Sequence, residues 1–173
     1  DGELSYFINN GSPTSPSFVL PLSGFNPLDG IVLNDLVYPS FADIDSDGDF
    51  DAFFPNGDWY SEVLFYENAG TPSSPQFIAP QANPFGLNGF SYYSPPSFAD
   101  IDADGDLDVL SGWDGCELTL QKNTGSVSSP EFAQISNNPW GFAGGCGTLY
   151  ISLADIDGCL LYTSDAADER HCV

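Results

Sequence analysis

Residues 43–51 read Asp-Ile-Asp-Ser-Asp-Gly-Asp-Phe-Asp, and residues 100–108 read Asp-Ile-Asp-Ala-Asp-Gly-Asp-Leu-Asp. Each run follows Pro-Ser-Phe-Ala. A carboxylate at every second position of a tight loop, with glycine after the third, is the donor set of a hard, oxygen-seeking cation. Calcium takes about six to eight oxygen ligands, while magnesium keeps its waters and uses fewer carboxylates. Zinc calls for His and paired Cys. The two runs are therefore read as Ca2+ sites. The candidate metal residues are Asp43, Asp45, Asp47, Asp49 and Asp51 in the first run (loop A), and Asp100, Asp102, Asp104, Asp106 and Asp108 in the second (loop B). Asp155 and Asp157 begin a third such run, in which Cys159 stands where the third carboxylate belongs. An EF-hand is excluded, because it needs an acid at loop position twelve and flanking helices. Those positions hold Phe54 and Ser111, and the flanks are strand-like.

The charge balance supports the same chemistry. The 173 residues carry 25 acidic and two basic side chains, for a net charge of −23. Ten of the acids lie in loops A and B, where they repel one another unless a cation neutralises them. So acidic a chain excludes a nucleic-acid or anionic-membrane surface. No run of 18 apolar residues is present, so no membrane insertion is expected. A hydrophobic content of 42%, with 14 Phe, 8 Tyr and 3 Trp, is enough to build a core. The 18 Gly and 14 Pro favour many turns over long helices.

What must position the loops is a repeat. The loops start at Asp43, Asp100 and Asp155, spaced by 57 and 55 residues. Residues 68–77 read Asn-Ala-Gly-Thr-Pro-Ser-Ser-Pro-Gln-Phe, and related turns start at Asn9 and Asn123. A third marker, Asn-Pro followed by an apolar residue, starts at Asn26, Asn83 and Asn138. Within each unit, residues 41–43 and 98–100 lead into the acidic loop. Residues 50–54 and 107–111 leave it with aromatic and branched side chains, as half-buried strands do. Residues 63–67 and 118–122 alternate and then meet the Asn-x-Gly turn, a strand ending at a turn. Residues 76–78 and 131–135 are expected to form a fourth, outer strand. Four short strands in roughly 55 residues fit a propeller blade. The predicted fold is all-β: a partial β-propeller of about three blades of four-stranded antiparallel sheet with calcium loops. The predicted boundaries are a partial blade 1–38, repeats 39–95 and 96–150, and a truncated repeat 151–158.

The motif Phe-Ala-Asp-Ile-Asp-x-Asp-Gly-Asp-x-Asp, followed by the Asn-x-Gly turn, resembles the FG-GAP and VCBS repeats of integrin-α-type propellers. The resemblance covers residues 1–158. It implies a Ca2+ ion held between the first two strands of a blade. The implied side-chain ligands are Asp43, Asp45, Asp47 and Asp51 in loop A, and Asp100, Asp102, Asp104 and Asp108 in loop B. Asp49 and Asp106 would give a backbone carbonyl, and their carboxylates are expected to point outward into solvent. Gly48 and Gly105 are expected where the chain turns sharply.

The run from Cys159 to Glu169 resembles the translation of a sequencing-library adaptor, so residues 159–173 are expected to be an artefactual tail. Without it the chain has no His, and Ser-His-Asp or Cys-His arrangements are absent. Asp58, Glu62, Asp114 and Glu117 lie near blade corners as solvated acids. Cys116 and Cys146 either form a disulfide or remain free thiols. The expected function is a non-catalytic, extracellular or cell-surface scaffold for adhesion or for an unidentified protein or carbohydrate ligand. The alternative is an accessory propeller of a secreted, polysaccharide-degrading enzyme.

Overall fold

Short apolar runs separated by Gly, Pro and Asn give short strands. A computed structural model describes residues 4–21, 26–33, 38–56, 62–88, 90, 94–113, 117–132, 134–141 and 149–153. Among these the architecture is all-β, a partial β-propeller, with one 3-10 turn at Pro84–Gly86 and no α-helix. The strands are β1 (Ile8–Asn9), β2 (Phe18–Val19), β3 (Ser40–Ala42), β4 (Asp51–Asn56), β5 (Glu62–Tyr66), β6 (Gln81–Ala82), β7 (Ser97–Ala99), β8 (Asp108–Trp113), β9 (Glu117–Lys122) and β10 (Gln134–Asn137). β3 to β6 form one four-stranded antiparallel meander and β7 to β10 another, while β1 and β2 form a hairpin. Residues 155 and 157, residues 58, 114, 116 and 146, and the 159–173 tail lie outside the described residues.

Both faces of the first blade are covered. In β4 the residues Asp51 to Pro55 are all buried. Alternation sends Phe53 to one face, and Ala52 and Phe54 to the other. Phe53 joins Ala42, Ile44, Val63, Phe65, Leu87, Phe90, Val109 and Phe132 in a core shared with the second blade. Its ring lies 5.0 Å from that of Phe65 and 4.5 Å from that of Phe98, close enough for tilted aromatic packing. On the other face, Ala52, Phe54 and Tyr66 pack with Leu33, which comes from the preceding segment. A continuous apolar strand is what such two-sided burial requires.

Contacts between successive repeats recur at the sequence period. The Ser40 hydroxyl donates to the Pro96 carbonyl, and one repeat later the Ser97 hydroxyl donates to that of Ile151 at 3.0 Å. Gly112 sits where a Cβ would come within 2.6 Å of the Leu149 Cβ, so the next repeat can approach only a glycine there. Gln121 is buried and clasps the loop leaving the first blade. Its Nε2 donates to the Asn88 carbonyl at 2.8 Å, and its Oε1 accepts from the Asn88 amide at 3.2 Å.

The fourth strand differs from the sequence expectation. In the first blade, residues 76–78 make only a bridge between Asn68 and Phe77, and the strand itself is Gln81–Ala82. In the second, the strand starts at Gln134. Phe132 is a core plug, 1% exposed, and its amide donates to the Phe85 carbonyl at 2.7 Å. The apolar residue after Ser-Pro thus faces the neighbouring repeat, and the outer strand begins only once that contact has been made.

Candidate metal centre

Each acidic loop joins the first two strands of its blade. Ala42 pairs with Asp51 and Ala99 with Asp108, so residues 43–50 and 100–107 close off a two-strand ladder. The chain reverses through left-handed residues at the same two places in both loops. These are Ser46 (φ 56°) with Gly48 (φ 97°), and Ala103 (φ 60°) with Gly105 (φ 94°). The glycines stand where the sequence expects a sharp turn. Ser46 and Ala103 give no such signal, because neither favours the left-handed region.

The reversal gathers the carboxylates. One oxygen each from Asp43, Asp45 and Asp47 lie within 4.8 Å of one another, as do oxygens from Asp100, Asp102 and Asp104. The loop backbone orients them. The Gly48 amide donates to Asp43 Oδ2 at 3.1 Å and the Gly105 amide to Asp100 Oδ2 at 3.0 Å. The amides of Asp49 and Asp106 donate to Asp47 Oδ1 and Asp104 Oδ1 at 3.1 and 3.2 Å. At such separations each carboxylate pair repels by ~1 kcal/mol even at the dielectric constant of water.

Asp51 and Asp108 close the base of each loop. Asp51 is 3% exposed and Asp108 1%. The Asn68 amide donates to Asp51 Oδ1, and the Asn123 amide to Asp108 Oδ1, both at 2.8 Å. The Ile101 amide adds a bond to Asp108 Oδ2 at 3.2 Å. These aspartates therefore tie the acidic loop to the turn that follows the third strand. In that turn Asn68 Oδ1 accepts from the Gly70 and Gln76 amides, and Asn123 Oδ1 from those of Gly125 and Glu131. Asn9 Oδ1 does the same for Gly11 and Ser17.

Asp49 and Asp106 depart from expectation. Asp49 is only 6% exposed, and Asp106 is half-buried. Asp49 lies in the bend that follows left-handed Gly48, before β4 begins, while Phe50 next to it is 65% exposed. No local sequence signal marks Asp49 for burial, because the adjoining strand β4 is itself buried on both faces.

Buried carboxylate oxygens without a donor mark what the loops lack. Among the described residues, Asp43 Oδ1, Asp49 Oδ1, Asp51 Oδ2 and Asp106 Oδ1 are buried and accept no hydrogen bond. Burial pushes the Asp51 carboxyl up to about 7, with Asp45 and Asp47 adding repulsion and the Asn68 amide opposing it. Burial, followed by repulsion from Asp104 and Asp108, raises Asp106 to about 6. Asp49 and Asp108 are also raised, burial being the largest cause. Buried anionic oxygens are tolerated where a cation supplies the missing partner. The all-oxygen donor sets of both loops fit a hard divalent ion, so either acidic cluster could bind a metal.

A family model described as FG-GAP-like repeat matches residues 43–111, a span that opens on the first aspartate of loop A and runs through loop B. This segment is similar to the FG-GAP-like repeat. No curated protein and no solved structure gives a significant match to the chain. The FG-GAP-like repeat thus covers the two loops whose geometry is described above, and it is consistent with a propeller-type binding scaffold.

Proposed function

We propose that the chain is part of an extracellular or cell-surface propeller scaffold in which Ca2+ ions staple the blades, and that it is a binding module without catalytic activity. The observation that carries this reading is the set of buried, donor-free carboxylate oxygens on Asp43, Asp49 and Asp51 beside the three-carboxylate cluster of loop A. Asp43, Asp45 and Asp47 would hold the ion in loop A, and Asp100, Asp102 and Asp104 in loop B. Asp51 and Asp108 brace the loops from below, Asp51 accepting from the Asn68 amide and Asp108 from the amides of Asn123 and Ile101. The ion supplies positive charge where the chain has gathered negative charge, and its binding free energy adds to folding. Affinities of ~10⁻⁴–10⁻³ M are typical of extracellular calcium modules and suit millimolar calcium outside cells. The target is a protein or carbohydrate met by loops that vary independently of the blade.

The test is a thermal melt of metal-free protein against protein in 1 mM calcium. Two sites with affinities in this range contribute ~1–3 kcal/mol at that concentration. For a chain of this size that raises the melting temperature by roughly 2–10 °C. An unchanged melting temperature overturns the reading.

A further inference from the structure

The two loops match in backbone and in carboxylate placement, but not in the charge beside them. Lys122 Nζ donates to Asp102 Oδ2 at 2.5 Å, an ion pair on the surface of loop B. Asp102 is one of the three clustered carboxylates of that loop. The hydrogen bond from Lys122 holds the Asp102 carboxyl below its usual range. Lys122 is one of only two basic residues in the chain, the other being Arg170. The corresponding residue in the first blade is Glu67. Each immediately precedes the asparagine, Asn123 or Asn68, whose amide donates to the aspartate at the base of its loop. At one place in the repeat, then, the second blade carries a positive charge and the first a negative one.

A second difference points the same way. Among the described residues, loop A holds buried carboxylate oxygens outside close hydrogen-bond distance on Asp43, Asp49 and Asp51, while loop B holds one on Asp106 alone, its Asp102 and Asp104 being exposed to water.

We propose that Lys122 is a built-in counter-ion that makes the two loops unequal cation sites, with loop A filling first and loop B filling only as the ammonium withdraws from Asp102. The inference rests on the reading of both loops as cation sites. An exposed ion pair is weak in itself, so the inequality comes mainly from the repulsion between the lysine charge and an incoming divalent ion. One unit charge a few ångström from such an ion, in a water-like dielectric at low salt, changes affinity roughly tenfold. The low-affinity site would then fill over a higher calcium range, and the second blade would keep its loop partly neutralised below that range.

Calorimetric titration of the whole chain with calcium at low ionic strength tests this. The expected result is two steps about tenfold apart, with Asp100→Asn removing the weaker and Asp43→Asn the stronger. Lys122→Gln should tighten the weaker step by about tenfold and leave the stronger one in place. Lys122→Met, which keeps the aliphatic stem and removes the charge, makes the same comparison if the Gln variant does not fold. Two equal steps in the native chain, or a weaker step unmoved by loss of the Lys122 charge, overturn the proposal while leaving both loops as cation sites. No binding heat in the native chain overturns the cation reading itself, and this inference with it.

Discussion

Asp51 is 3% exposed, and burial raises its carboxyl to about 7 against the opposing amides of Asn68 and Ile44. In the unfolded chain the same group titrates near ~4. The folded, metal-free protein therefore binds more protons than the unfolded chain between these values, and its stability falls as pH rises through that window. Asp106, raised to about 6, acts in the same direction. Asp102 is shifted down, so its contribution changes only below the ordinary carboxylate range. Metal-free protein should accordingly melt at a higher temperature at pH 5 than at pH 7.5. With calcium saturating, the sign should reverse, because the ion needs ionised carboxylates. Thermal melts across pH in both conditions check this, and a metal-free melting temperature that falls on acidification contradicts the buried-carboxylate account.

At the scale of elements, the Asn-x-Gly turn fixes how each third strand hands over to the fourth. Asn123 is buried, and its Oδ1 accepts from two backbone amides at 3.0 Å. Asn123→Ala leaves those amides without their partner, at ~1–3 kcal/mol for each one that water does not reach. Asn123→Asp keeps the acceptor and should retain more stability in calcium. Gly125 is required for a separate reason: a Cβ there would lie 2.3 Å from the Ser129 carbonyl oxygen. Gly125→Ala must therefore move backbone, and denaturant unfolding should show a larger loss than for alanine at Gly141, where nothing lies within 4 Å and the cost is that of a left-handed backbone (φ 65°) alone. The turn was legible in the sequence because its residue types are dictated locally. The outer strand was not, since its start depends on where Phe132 finds the neighbouring repeat.

Across the whole molecule, the shared apolar core holds the two described blades together. Phe53 is fully buried and touches rings from both blades, whereas Phe50, three residues earlier, is 65% exposed. Phe53→Ala should cost about 3–5 kcal/mol by removing buried surface and leaving a cavity. Phe50→Ala should fall within about 0.5 kcal/mol of the native protein. Equilibrium denaturation of the two variants measures the difference. Equal losses would mean that the blades do not share this core.

The sequence by itself determined the strand-rich repeat, the acidic loops and their turns. Each of these rests on residues close together in the chain, where glycine, asparagine and alternating aspartate leave few conformations open. Tertiary structure decided the rest. It buried Asp49 in the bend of loop A, set Asp51 and Asp108 against the amides of Asn68 and Asn123, and brought Lys122 onto Asp102. Those outcomes join residues 15 to 20 positions apart, and they exist only once the strands have paired. An alternating run of aspartates shows that charge is gathered. Which carboxylates are buried, which are answered by an amide and which by an ammonium depends on the register of the sheet.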